Sequence, residues 1–189
     1  MQPRLLLHSC CAPCSIYVLR KLAKDYELSI FFYDPNIHPR LEYIKRRDEM
    51  KAYAKKIGVD FMEGEYDSVN WIDKTRGLEN ELEKGKRCEV CFDIRLNETA
   101  KKAKAEGYDF WTTVMSISPH KDASQINMVA NKLARLHDSK FLEADWKKND
   151  GFKIAAQMSK DEGFYRQDYC GCIYSKIASD RKKIRQHEN

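Results

Sequence analysis

The chain has 189 residues, with 34 Lys and Arg against 29 Asp and Glu, and carries a net charge of +5. This length reads as one domain able to bury a core without staples, and the ordinary apolar content excludes a disordered tail protein and a fibrous repeat. No run approaches the roughly 18 apolar residues of a spanning helix, and the apolar stretch after the N-terminus is too short for a signal peptide. A cytoplasmic protein with no membrane partner is therefore expected.

Leu5 to His8 is the first strand, ending abruptly in Ser9-Cys10-Cys11-Ala12-Pro13-Cys14-Ser15. Ile16, Leu19, Leu22, Ala23 and Tyr26 then recur at helical spacing. Leu28 to Tyr33 is a second strand, stopped by the turn signal Asp34-Pro35-Asn36. Tyr43, Met50, Ala54 and Ile57 mark one face of a charged helix that stops at Gly58, and Val59 to Met62 is a third strand. Residues 67–106 read as helical throughout, broken at Gly77 or Gly85, and form a helical insertion carrying Cys88 and Cys91. Tyr108 to Met115 is the fourth strand, closed by Ser116-Ile117-Ser118-Pro119-His120. An amphipathic helix through Ile126, Val129, Ala130, Leu133 and Leu136 follows, then a weak strand at Phe141 to Ala144. Residues 173–189 form a basic C-terminal helix.

Short connections between alternating strands and helices predict a single α/β domain over residues 1–189. Its mostly parallel, Rossmann-like (nucleotide-hydrolase-like) sheet has about five strands flanked by helices. Ligands of such sheets sit beyond the carboxyl ends of the strands, near the topological switch point. The cysteine turn, the Asp34 turn and the loop at residues 116–120 all follow strands and should crowd that edge.

The seven cysteines fall into three groups: Cys10, Cys11 and Cys14; Cys88 and Cys91; Cys170 and Cys172. An odd number in a cytosolic chain argues against a disulfide scaffold. Their neighbours are Ser, Pro, Gly, Arg and Glu rather than apolar runs, which suits reactive or ligating thiolates. The first turn has no glycine, so it is not a phosphate cradle. Pro13 starts a helix there, and a helix N-terminus favours the thiolate. Cys88 and Cys91 share one helix face, and with Cys10 and Cys11 they supply four thiolates for zinc or an iron–sulfur cluster. The vicinal pair suits a cubane better than a zinc knuckle. Cys170-Gly171-Cys172 closes a small, strained ring on oxidation, so it is a redox pair or a source of further ligands. Cys14 is left for a second metal or the substrate.

His8 is either a packed strand histidine or a site residue, and Asp34 either binds substrate or caps its turn. Ser118 and His120 lie on a loop after a strand, where ligands are met. His38, His137 and His187 read as surface residues. Basic clusters at 45–47, at Lys84, Lys86 and Arg87, and along the C-terminal helix, with Tyr165, Tyr169 and Tyr174 nearby, fit either solvated faces or an RNA surface.

Leu-His-Ser-Cys-Cys-Ala-Pro-Cys-Ser at 7–15, Cys88-x-x-Cys91 with Arg95, and Tyr-Cys-Gly-Cys-Ile-Tyr-Ser at 169–175 resemble the epoxyqueuosine reductase QueH family. The match extends to Tyr-Asp-Pro-Asn-Ile-His-Pro at 33–39 and to Ser116–His120, so it spans nearly the whole chain. The resemblance implies a cobalamin-independent enzyme that reduces epoxyqueuosine at the wobble position of tRNA to queuosine. It implies a [4Fe-4S] cluster on Cys10, Cys11, Cys88 and Cys91, a redox-active Cys170/Cys172 pair, and an additional iron with Cys14 and Asp34 as neighbouring candidates. An electron donor is required as a partner. The rival readings are an iron–sulfur-dependent tRNA sulfur-transfer enzyme, which the missing glycine-rich loop disfavours, and a zinc-stabilised RNA-binding module. A thioredoxin-like reductase is disfavoured because its CxxC belongs where Cys10–Cys14 stands.

Overall fold

The computed structural model describes residues 1–187, His187 in its backbone only. The surface position expected of His187, and the last two residues of the C-terminal helix, lie outside the described residues. Four parallel strands, β1 (Arg4–His8), β2 (Glu27–Phe32), β3 (Asp60–Glu63) and β4 (Phe110–Thr113), form one sheet in the order β3-β2-β1-β4. Among the described residues seven α-helices surround it: α1 (Ala12–Leu22), α2 (Arg40–Ile57), α3 (Ser68–Lys74), α4 (Lys86–Ala105), α5 (Ala123–Leu136), α6 (Gly151–Asp161) and α7 (Ile173–His187). None is long and apolar enough to cross a membrane.

The central strands of a parallel sheet are buried on both faces, so β1 and β2 carry runs of apolar residues that feed two cores alternately, whereas the edge strand β3 is only half-buried. Leu5, Leu7, Ile30 and Phe32 meet Ile16, Leu19 and Met50 on the face covered by α1, α2 and α6. Leu6, Phe31 and Trp111 meet Phe92, Leu96, Ile126 and Leu133 on the face covered by α4 and α5. The chain winds outward from β1 through β2 to β3, then crosses back to place β4 on the other side of β1. The winding therefore reverses between β1 and β4, where His8 and Thr113 are register partners. This is the switch point at which such folds bind ligands.

The structure revises one expected element, sharpens a second and adds a third. The fifth strand is a single parallel bridge, Trp111 to Phe141. The chain then leaves β4, because Trp146 tucks inward and donates its indole N–H to the Thr113 carbonyl at 2.8 Å. Residues 67–106 are not helical throughout: α3 ends where the Thr75 hydroxyl turns back onto the Trp71 carbonyl (2.9 Å), and the break to α4 contains both Gly77 and Gly85. Helix α6, which the sequence reading passed over, opens at Gly151, where a Cβ would stand 1.9 Å from the Trp146 carbonyl oxygen.

Candidate active site

β1 delivers its cysteines straight into the switch point. Cys11 is the N-cap of α1 and Pro13 lies in its first turn, so the chain bends from strand to helix within the Cys10–Cys14 segment. The Sγ atoms of Cys10, Cys11 and Cys14 all lie within 4.8 Å of one another. Ser15 donates its hydroxyl to the Cys11 carbonyl (2.7 Å), and Gln167 donates its amide to the Cys11 sulfur (3.2 Å). Three thiols so close cannot all ionise. Cys10 is held well below its ordinary value, chiefly by the Cys11 and Cys14 thiols donating to it. Cys11 is pushed well up, and Cys14 up to about 12, as the partners that keep their protons. A soft cation would displace those protons.

The other four thiols surround a neighbouring pocket. Cys88 and Cys91 project from one face of α4, and Cys170 and Cys172 come from the loop before α7; all four line the pocket with Trp71, Arg95 and Lys121. Cys91 and Cys172 pack on the fully buried Trp71. Backbone N–H groups of Lys84 and Ser175 donate to the Cys88 and Cys172 sulfurs at 3.3 and 3.4 Å. Burial pushes the Cys88 and Cys170 thiols up, and Cys91 up to about 12. Arg46 clamps the 170–172 loop by donating to the Cys170 and Tyr169 carbonyls (3.1 and 3.3 Å), while the His38 N–H donates to the Gly171 carbonyl (2.8 Å).

Buried cations join the two groups. Arg95, 1% exposed, pairs with Asp34. Burial works against its charge, and Asp34, Cys91 and Cys10 outweigh that. Burial pushes the Asp34 carboxyl up to about 7 in spite of Arg95. His8 is fully buried, and burial, aided by Arg95, pushes it down to about 3. It is thus a neutral imidazole: Nε2–H donates to the Tyr33 carbonyl (3.3 Å) and Nδ1 accepts from the Thr113 hydroxyl (2.8 Å). Burial also opposes the charge of Lys121, but the Cys170 and Cys10 sulfurs raise its pKa overall.

Beside these thiols opens a cleft of about 470 Å³, lined by Cys10, Cys14, Ser118, His120, Lys121 and Cys170 among others. That volume suits a nucleoside-sized ligand. Of the residues singled out by sequence, Ser118, His120, Cys10, Cys14 and Cys170 face this cleft, whereas His8 and Asp34 lie beneath it. Two members of the basic clusters are not surface residues: Arg46 is 1% and Arg87 4% exposed. His38 is half-buried beside Trp71, with ring centroids 5.8 Å apart. Sequence reading missed Lys121 and the clamp of Arg46. The available signal was spacing: Cys88, Cys91 and Arg95 recur at three and four residues, one helix face.

A parallel α/β domain whose switch point is filled with thiols and buried cations defines an α/β protein of cysteine-centred chemistry. The family described as Epoxyqueuosine reductase QueH matches residues 5–178. A protein of that name from Haemophilus influenzae is 44% identical over 174 residues, covering 91% of this chain and 71% of the relative. One from Acinetobacter baylyi is 41% identical over 185 residues (97% and 85%). One from Dehalococcoides mccartyi is 32% identical over 177 residues (93% of each). The chain belongs to this family and is an oxidoreductase of tRNA modification. Its fold is shared by the U34-tRNA thiolase NcsA from Methanococcus maripaludis with its [4Fe-4S] cluster (TM-score 0.54, 15% identity, 100% of this chain and 67% of that one). It is also shared by a predicted subunit of tRNA methyltransferase from Methanocaldococcus jannaschii (TM-score 0.56, 11% identity, 87% and 93%).

Proposed function

We propose that this chain reduces the epoxide of epoxyqueuosine in tRNA to the alkene of queuosine, with Cys170 and Cys172 as a redox pair and a [4Fe-4S] cluster on Cys10, Cys11, Cys88 and Cys91. The observation that carries this reading is the meeting of the Cys10–Cys14 turn and Cys170 on one nucleoside-sized cleft at the switch point. Four thiols are the donor type such a cluster takes. Cys10 and Cys11 come from the turn before α1 and Cys88 and Cys91 from α4, and Cys10 and the α4 pair line adjacent cavities that share Cys170 and Lys121. The buried Arg95, whose Nε has no hydrogen-bond partner beside the ion pair with Asp34, and Lys121 offer positive charge to an anionic centre at this place. No separate ligand set for an additional iron occurs among the described residues, and it forms no part of the proposal. When bound, the cluster supplies low-potential electrons one at a time.

The protein's own residues account for the remaining chemistry. Oxidation of the Cys170 and Cys172 thiols to a disulfide releases two electrons and two protons, which is what removing an epoxide oxygen as water requires. Cys170 lines both the cleft and the inner pocket, so it is the member of the pair that faces the substrate. Ser118 and His120 lie at the cleft for hydrogen bonds to the nucleoside, and Arg166 and Lys182, which also line it, suit the phosphates of a tRNA partner. An electron donor must reduce the pair after each turnover. The test is an anaerobic incubation of iron-loaded protein with epoxyqueuosine-bearing tRNA and dithionite, read by nucleoside mass. Loss of one oxygen is expected, and an intact epoxide overturns the reading.

A further inference from the structure

The buried cations of this edge are partnered, with one exception. Arg46 donates to Glu42 (2.7 Å) and to the Tyr169 and Cys170 carbonyls. Arg87 donates to the Leu78 and Glu79 carbonyls at 3.1 and 2.9 Å, and Arg95 pairs with Asp34. Lys121 is only 9% exposed, yet among the described residues its ammonium makes no ion pair and no hydrogen bond. Its stem is buried while its ammonium is left open to the cavities that it lines. Glu83 lines the same two cavities and does not pair with it.

The backbone around this side chain is firmly held. The Lys121 N–H donates to the Ser118 carbonyl (3.2 Å), and the Lys121 carbonyl accepts from the Lys147 ammonium (3.1 Å). The next residue, Asp122, caps α5 by accepting from the Ser124 and Gln125 N–H groups at 2.8 and 3.3 Å. A rigid turn thus presents an ammonium without a protein partner to the wall shared by the outer cleft and the inner thiol pocket. An ammonium with no protein acceptor, held at the wall of a cleft, is free to meet an acceptor on a ligand there.

We propose that Lys121 is a catalytic residue: its ammonium binds the epoxide oxygen and gives it a proton as the carbon–oxygen bond breaks. The inference rests on the reductase reading above. Two electrons come from the thiol pair, or from the dithionite of the assay. Both carbon–oxygen bonds break, a carbon–carbon double bond forms, and the oxygen leaves as water. One of the two protons in that water comes from Lys121 Nζ, which regains one from solvent at the open end of the cleft. The other comes from the thiol pair as it is oxidised or, when dithionite is the reductant, from solvent. Without this donor the oxygen would build up negative charge as its bonds to carbon break. His8 is fully buried and does not line the cleft, and His120 is exposed at its rim, so neither competes for this position.

Lys121→Ala and Lys121→Met, the latter preserving side-chain volume, test the assignment in iron-loaded protein under dithionite. Expected are an unchanged iron content, an affinity for epoxyqueuosine-bearing tRNA within about twofold, and single-turnover rates down by ~100-fold or more. Methylammonium should restore the rate of Lys121→Ala in proportion to its concentration, and tetramethylammonium, which has charge but no N–H, should not. A rate close to wild type, loss of iron in both variants, no rescue, or equal rescue by the two cations overturns the proposal. A wild-type protein that leaves the epoxide intact overturns the reductase reading itself, and does so before any variant is compared.

Discussion

The two thiol groups of this edge are assembled in opposite ways. Cys10, Cys11 and Cys14 come from one turn, and their proximity follows from a strand running into a helix with Pro13 in its first turn. Cys88, Cys91, Cys170 and Cys172 come from a helix and a distant loop, and they meet through tertiary contacts, among them the hold of Arg46 and His38 on the loop. The first group is a local property of the chain, whereas the second is a property of the finished fold. Local order survives disturbance elsewhere; tertiary order does not.

The largest effect expected separates the groups by what they bind. Replacing Cys10 and Cys11 together by Ala should abolish iron uptake on anaerobic reconstitution and remove all activity, because half of the proposed donor set disappears. Cys170→Ser should keep the iron and its visible absorption while multiple-turnover reduction stops. Retained iron in the double variant, or full turnover in Cys170→Ser, would reverse the roles given to the two groups.

A smaller effect probes the link between them. Arg95 and Asp34 lie 1% exposed beneath both groups. In metal-free protein, Arg95→Met should cost about 3–5 kcal/mol of unfolding free energy at pH 8, where it leaves a buried carboxylate alone. The cost should shrink toward pH 5. There Asp34, pushed up to about 7 by burial, already carries a proton in the folded wild type, so little ion pairing remains to be lost. Because the folded protein holds this proton more tightly than the unfolded chain, Asp34 favours folding less as pH rises from about 4 to 7. Denaturant unfolding at both pH values measures the difference; an equal loss at each would place the charge of Asp34 elsewhere.

The same division decides what could be read from sequence. Strands β1 and β2 were legible because burial on both faces gives them runs of apolar residues, β3 and β4 because short β-prone runs follow glycine-ended helices, and the turns after β1, β2 and β4 announced where a site would lie. The grouping of Cys10, Cys11 and Cys14 was visible in their spacing alone. The strand expected at Phe141–Ala144 was not decided locally, since Trp146 draws that segment inward. Nor could spacing reveal that Arg46 and Arg87 turn inside while their neighbours stay in water. A basic triplet on a helix looks the same whether one member meets buried carbonyls or none does, and the carbonyls of Tyr169 and Cys170 lie more than a hundred residues from Arg46.

The smallest effect isolates the loop itself. Gly171 has a φ of +134°, and a Cβ there would stand 3.1 Å from Ile37 Cγ1, 3.2 Å from Arg46 Nη1 and 3.3 Å from Asn36 Nδ2. Gly171→Ala therefore combines backbone strain on the order of 1–3 kcal/mol with pressure on the side chain that clamps the loop. Gly58, at φ +70° with nothing within 4 Å, carries only the backbone penalty and serves as the control. In metal-free protein Gly171→Ala should speed alkylation of Cys170 and Cys172 by iodoacetamide severalfold and leave Cys10, Cys11 and Cys14 unchanged, as peptide mass mapping will show. Gly58→Ala should change neither. Equal acceleration at both thiol groups would mean that the β1–α1 turn depends on the clamp too, and that its order is no more local than that of the loop.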